Sequence, residues 1–188
     1  MEKKRIVLGV SGASGAPLAI ASLKLLKAFP DYEVHLVISR GGEETLLLET
    51  DMTLEEVKGL ADVFHENKNI GASIASGTFK TEAMIIVPCS MKTAAGIYSG
   101  YSDSLLLRAA DVTIKEKRKL ILVARETPLS PIHLRNLGYL AALQNVVVLP
   151  PMVSYYSSPK SLEDINFHIA GKILDAAGIE VKGFKRWS

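Results

Sequence analysis

Only one cysteine, Cys89, occurs in the 188 residues. That excludes an intrachain disulfide and any cysteine-rich zinc site. No apolar run approaches the ~20 residues a helix needs to span a bilayer. The opening Met1-Glu2-Lys3-Lys4-Arg5 leads into a strand-like run with no cleavable apolar region behind it, so no signal peptide is expected. Charge of one sign is also scarce. The net charge of +2 is too small a field to favour nucleic acid or an anionic membrane. The one sharply basic stretch, Lys182 to Arg186, is short and reads as a solvated tail. His35, His65, His133 and His168 show no metal-ligand spacing, and structural or surface roles are expected for all four. No Ser-His-Asp signature, repeat or linker is visible. What remains is one domain over residues 1–188, expected in the cytoplasm. At this length a chain buries about 70% of the surface its unfolded form exposes. Apolar residues, 48% of the total, supply that core.

The pattern alternates strand and helix. Strands are expected at Arg5 to Val10, Glu33 to Ser39, Ala83 to Val87, Lys119 to Ala124 and Val146 to Leu149. Ser14 to Lys27 reads as a helix with Leu18, Ala21, Leu25 and Ala28 facing in. Further helices are expected over Gly42 to Glu49, from the capping box Thr53-Leu54-Glu55-Glu56, over Asp103 to Glu116, from Ser130-Pro131 to about Leu143, and from Ser161 to Asp175. Phe64 to Thr81 has no period and reads as a long, functional loop. Five strands separated by helices imply a parallel sheet with right-handed crossovers. The loops after the strands' carboxyl ends then form the ligand crevice.

Two of those loops carry anion-binding chemistry. Pro88-Cys89-Ser90-Met91-Lys92-Thr93 follows the apolar run Met84-Ile85-Ile86-Val87, with Pro88 as a strand stop and Ser90 as a helix cap. A lysine in a helix's first turn is disfavoured by the dipole unless an anion is present. Hydroxyls, a cation and free N–H groups at a helix start suit a phosphate. Cys89 reads as a buried spacer. The second loop, Gly9-Val10-Ser11-Gly12-Ala13-Ser14-Gly15-Ala16, lets backbone approach a ligand and places Ser14 near a helix N-cap. Its spacing matches neither G-x-G-x-x-G nor a P-loop. Arg125 and Glu126 follow the fourth expected strand and could bind an anion and move a proton. Arg108 and Lys115 lie seven apart on one helical face. Tyr155-Tyr156 sits in a loop after Pro150-Pro151. Trp187, the one tryptophan, is expected to dock on its own or a neighbouring subunit.

In this order and spacing the motifs resemble the UbiX family of flavin prenyltransferases, over about Arg5 to Trp187. The resemblance is carried by Gly12-Ala13-Ser14-Gly15-Ala16, Ile38-Ser39, Glu49-Thr50-Asp51, Ala75-Ser76-Gly77, Pro88 to Thr93, Arg108 to Val112, Arg125-Glu126-Thr127-Pro128 and Arg186-Trp187. It implies an α/β, flavodoxin-like (Rossmann-like) doubly wound sheet, bound FMN and no metal. It also implies transfer of a dimethylallyl group from dimethylallyl phosphate to N5 and C6 of reduced FMN. The product serves a prenylated-FMN-dependent decarboxylase, and the subunits form a homo-oligomer, a dodecamer, whose sites borrow residues from neighbours.

By resemblance, Gly12, Ala13, Ser14, Ser39, Ser90, Met91, Lys92, Thr93 and Arg125 contact the flavin. Glu49, Arg108, Lys115, Glu126, Tyr156 and Lys172 surround the prenyl phosphate, and Trp187 covers the prenyl pocket. Ser14, Glu49, Lys115 and Glu126 are the residues expected to carry the chemistry. Lys172 stands where relatives usually carry arginine, and Ile70 where some carry an aromatic. Two other functions compete. Cysteine-type decarboxylases of the wider group carry a catalytic histidine in the loop before strand three and a Pro-Ala-Ser-Ala-Asn-Thr segment, whereas here the loop reads Ser73-Ile74-Ala75-Ser76-Gly77 and the segment Pro88-Cys89-Ser90-Met91-Lys92-Thr93. A non-catalytic flavin carrier would leave Arg108, Lys115 and Lys172 unexplained.

Overall fold

The computed structural model describes residues 3–187; Met1 and Glu2, which open the basic lead-in, and Ser188 lie outside the described residues. Six parallel strands form one sheet: β1 (Lys4–Val10), β2 (Tyr32–Ile38), β3 (Val63–Glu66), β4 (Ala83–Cys89), β5 (Lys119–Ala124) and β6 (Val146–Val148). Their order is β3-β2-β1-β4-β5-β6. Without the edge strand β3 this is the 2-1-3-4-5 order of flavodoxin-like sheets; with it, the classic six-strand dinucleotide order. The doubly wound α/β expectation is met in either count.

The strands are buried on both sides, so their residues divide by alternation. Ile6, Leu8, Val10, Ile85, Val87, Ile121 and Val123 face one core, shared with α1 (Ala16–Leu26) and α7 (Leu162–Ala177). Val7, Met84, Ile86, Leu120 and Leu122 face the other, shared with α4 (Met91–Ser99), α5 (Leu105–Lys115) and α6 (Pro131–Ala142). Two further helices, α2 (Arg40–Glu49) and α3 (Leu54–Lys58), follow β2. The crossover from β1 passes over one face and that from β4 over the other. A crevice therefore opens at the carboxyl ends of β1 and β4. Among the described residues no helix is long and apolar enough to cross a membrane.

Four sequence expectations change. The stretch read as a loop from Phe64 contains β3 and a 3-10 turn at Ser73–Ala75. β3 is a four-residue edge strand with His65 and Glu66 in it, too short and too polar to show a period. Pro88 does not end its strand. It lies inside β4, where the register with β5 shifts between Ile86 and Cys89, a place where a missing N–H is tolerated. On α1 the buried face is Ala16, Ala19, Leu23 and Leu26 rather than Ala21, Leu25 and Ala28, because a nearly all-apolar helix gives no clear polar side to orient it. Nor does Ser14 cap α1; the N-cap is Gly15, at φ 123, with no side-chain cap of its own. The capping box at Thr53 is present as read, and Ser161 and Ser130, expected as helix starts, form boxes with Asp164 and His133.

Candidate active site

The start of α4 is built from two directions. Ser90 is its N-cap, with Oγ accepting from Thr93 N–H at 3.2 Å. From the end of β1, Ser11 donates its hydroxyl to Pro88 O at 2.9 Å and accepts from Ser90 N–H at 2.8 Å. Ser11, almost wholly buried, thus ties the two ligand loops together. Sequence reasoning passed over it, since a serine in a Gly-rich loop carries no signal of which partner it meets. Lys92 in the first turn is exposed and, among the described residues, has no ion pair.

Gly12 and Gly41 meet backbone to backbone: a Cβ on Gly12 would stand 2.9 Å from Gly41 Cα. Only glycine allows that approach, and it brings the β1 loop against the first turn of α2. Ser39 caps α2, accepting from Gly42 N–H at 3.1 Å. Between these elements lies a cleft of about 710 Å³, lined among others by Gly12, Ser39, Ser90, Met91, Lys92, Thr93 and Glu126. That falls within the roughly 300–1,000 Å³ of small-molecule sites. Asn67, just past β3, also lines it while accepting from Leu106 N–H through Oδ1 at 3.0 Å. No local pattern marks Asn67 beyond its place in a long polar stretch.

Glu49, at the end of α2, supplies the cap that α1 lacks. Its Oε2 accepts from Gly15 N–H at 2.8 Å and Ala16 N–H at 2.9 Å. Burial works to raise its pKa, but hydrogen bonds from the Ser14 side chain and the Gly15 and Ala16 backbone, with the Arg125 charge nearby, hold it below the usual carboxylate value. Ser14, Glu49 and Arg125 therefore form one charged cluster. Arg125 is near enough for its charge to act on Glu49, and its neighbour Glu126 lines the cleft while accepting from Thr127 N–H at 3.0 Å. Cys89 is fully buried, and burial pushes its thiol up to about 12, so it offers no nucleophile.

The residues expected at the prenyl phosphate fall into separate places. Tyr156 and Lys172 line a second cavity of about 260 Å³ together with His168. Trp187 meets the Tyr156 ring edge-on, centroids 5.2 Å apart, yet is 78% exposed. Tyr155 is 83% exposed and does not line this cavity, leaving Tyr156 as its tyrosine. Arg108 and Lys115 lie on α5, against the opposite face of the sheet, and line neither cavity. Lys115 closes the helix end far from the cleft, about 15 Å along α5 from its start. Arg108 pairs with Asp111 at 2.6 Å, Lys115 with Glu116 at 2.5 Å and Lys172 with Asp175 at 3.2 Å. One chain thus brings Gly12, Ser39, Ser90, Met91, Lys92 and Thr93 of the expected flavin contacts to one cleft, while Ala13, Ser14 and Arg125 are not among its lining, and it does not bring Arg108 and Lys115 to Tyr156 and Lys172. Ile70 is 58% exposed and lines neither cavity.

Comparison with known proteins identifies the family. The Flavoprotein family model matches residues 1–173. The chain is similar to the flavin prenyltransferase LpdB of Lactiplantibacillus plantarum, 50% identical over 98% of each chain. It superposes on AnUbiX (PadA1) in complex with FMN and dimethylallyl pyrophosphate, with a TM-score of 0.96 and 43% identity over 99% of this chain and 98% of that one. It also superposes on a dodecameric FMN-dependent Ubix-like decarboxylase from Escherichia coli O157:H7, with a TM-score of 0.95 and 45% identity over 98% and 99% of the two chains.

Proposed function

The chain belongs to the Flavoprotein family, among its UbiX-like flavin prenyltransferases, and from that premise we propose that it moves a dimethylallyl group from dimethylallyl phosphate to N5 and C6 of reduced FMN. The observation that carries this reading is the cleft in which Lys92, without an ion pair among the described residues, opens a helix beside the Gly12–Gly41 contact. A cation at that end opposes the helix dipole, and an anionic ligand resolves the conflict. The backbone contact shapes a wall that any Cβ would fill, so the residues present fit a flavin nucleotide.

When bound, reduced FMN supplies the electron-rich ring atoms that accept the prenyl group. Lys92, Ser90, Thr93 and the first-turn N–H groups of α4 bind its anionic tail, with Met91, Ser39, Gly12 and Ala13 beside it. Ser14, held by the ionised Glu49, orients the flavin edge, and Arg125 balances the Glu49 charge. On the donor side a monophosphate leaves poorly, so charge must be neutralised as its C–O bond breaks. Tyr156 and Lys172 provide a hydroxyl and a cation in one cavity. Arg108 and Lys115 add two more cations from a neighbouring subunit, in a dodecamer of the kind named for the Escherichia coli relative. The faces of Tyr156 and Trp187 stabilise the allylic cation. Glu126, in the cleft, takes the proton released at C6.

The enzyme is read as one cytoplasmic flavoprotein unit over residues 1–188, whose product serves a prenylated-FMN-dependent decarboxylase. The test is to supply reduced FMN with dimethylallyl phosphate, and in parallel the diphosphate, and to weigh the extracted flavin. A flavin heavier by one isoprenoid unit is expected with the monophosphate. Unmodified FMN, retained by the protein, would instead mark a carrier. The decarboxylase alternative needs a histidine at the flavin, and no histidine lines this cleft.

A further inference from the structure

The donor-side cavity contains a residue that the proposed reaction leaves without a task. His168, on α7, is 8% exposed. It stands one turn before Lys172, so both project on the same side of the helix. Its Nε2 lies 3.4 Å from the Tyr156 hydroxyl, and the two rings meet edge-on at 5.5 Å. Phe184 packs against the imidazole at 5.1 Å. Phe184 is itself fixed by Gly171, where a Cβ would stand 2.7 Å from the Phe184 ring. Trp187 braces the Tyr156 ring from a further side.

An imidazole packed against two aromatic rings is a poor filler, since burying a polar ring costs free energy unless it is hydrogen-bonded. Among the described residues its hydrogen-bond partner is the Tyr156 hydroxyl, and that hydroxyl in turn has His168 as its protein partner. Resting catalytic hydrogen bonds are often long and tighten when ligand arrives.

Resting on the prenyl-transfer reading, we infer that His168 is a positioning residue for the Tyr156 hydroxyl. Its Nε2–H donates to the phenolic oxygen. The phenolic hydrogen is thereby turned toward the departing phosphate beside Lys172, and the imidazole itself does not touch the donor. The ring clamp of Phe184, Gly171 and Trp187 holds the pair at this spacing.

The test is a double-mutant cycle in the full-length protein with reduced FMN and dimethylallyl phosphate. His168→Phe keeps the ring and removes the nitrogens; His168→Gln keeps an N–H donor. His168→Phe is expected to slow prenyl transfer about tenfold, as the loss of one oriented hydrogen bond does, chiefly in kcat. FMN affinity and the melting temperature should not fall with it. His168→Gln should recover part of the rate, and His168→Phe combined with Tyr156→Phe should be no slower than Tyr156→Phe alone. A wild-type rate for His168→Phe, or losses that multiply in the double variant, would overturn the assignment. Should His168→Phe fail to fold, His168→Gln against His168→Leu decides it: Gln faster than Leu supports the assignment, and equal rates refute it. A wild-type protein that yields no prenylated flavin would refute the function instead.

Discussion

The flavin cleft and the donor side handle positive charge in opposite ways. In the cleft, Lys92 stands without an ion pair among the described residues, at the helix end where the dipole disfavours it. On the donor side, each expected cation has a carboxylate within three residues of it: Asp111 for Arg108, Glu116 for Lys115, Asp175 for Lys172. Exposed pairs of that kind contribute little, roughly 0–1 kcal/mol, and exchange partners readily. Asp175 leans first on Arg186, at 2.7 Å, and only then on Lys172 at 3.2 Å, so Lys172 is easily released to a substrate anion. On the proposed reading the flavin side is set in one folded chain, whereas the donor side keeps its charges occupied until subunits and substrate meet.

The largest effect that sharpens this contrast is expected from Lys115→Ala. Prenyl transfer should fall about a hundred- to a thousandfold, the scale of losing one transition-state contact, while flavin titration gives an unchanged affinity. Loss of FMN binding in that variant would assign Lys115 to the wrong anion. Lys92→Ala should behave oppositely. Its FMN affinity should drop about ten- to a hundredfold, in line with a lost charge-assisted hydrogen bond. The melting temperature of the flavin-free protein should hold or rise slightly, because an unfavourable charge has left the helix start.

Gly12→Ala comes next. Its Cβ would meet Gly41 Cα at 2.9 Å, so backbone must shift, at about 1–3 kcal/mol in denaturant melts with weaker FMN binding.

The smallest effect belongs to neither site. His65 contacts His35 at 2.9 Å, and His35 contacts Glu33 at 2.7 Å. Burial, and then the His35 charge, hold the His65 pKa below its ordinary 6.5, and the His35 hydrogen bond foremost holds Glu33 below its ordinary 4.5. Both groups bind fewer protons folded than unfolded, so stability is full above those values and lost as pH falls through the lowered ones. The melting temperature should begin to decline below pH 6.5 and decline further below 4.5, and His65→Gln should flatten the first limb.

The alternation of apolar runs with capped helices made the doubly wound sheet legible, because buried parallel strands and N-caps leave local marks. The serine cap before Lys92 was legible for the same reason. β3 was not, since an edge strand of Val63, Phe64, His65 and Glu66 draws its stability from pairing with β2 rather than from its own pattern. Ser14 looked like a cap for α1, yet the cap comes from Glu49, 33 residues past Ala16 in the chain. Ser11 and Asn67 escaped notice likewise, as their hydrogen bonds reach partners 79 and 39 residues away. The resemblance named Tyr156 and Lys172 together but could not say which cations share a chain. Only the placement of α5 and α7 on opposite faces of the sheet separates them.

That separation can be tested by subunit mixing. Lys115→Ala and Lys172→Ala variants, each inactive alone, would be dissociated, combined and reassembled, and the prenylated flavin weighed. If the donor site takes Lys172 from one chain and Lys115 from its neighbour, the mixed assemblies contain some intact sites and activity returns. Mixed assemblies that stay inactive, despite proven subunit exchange, would mean that both lysines act within one chain, which contradicts the geometry described above.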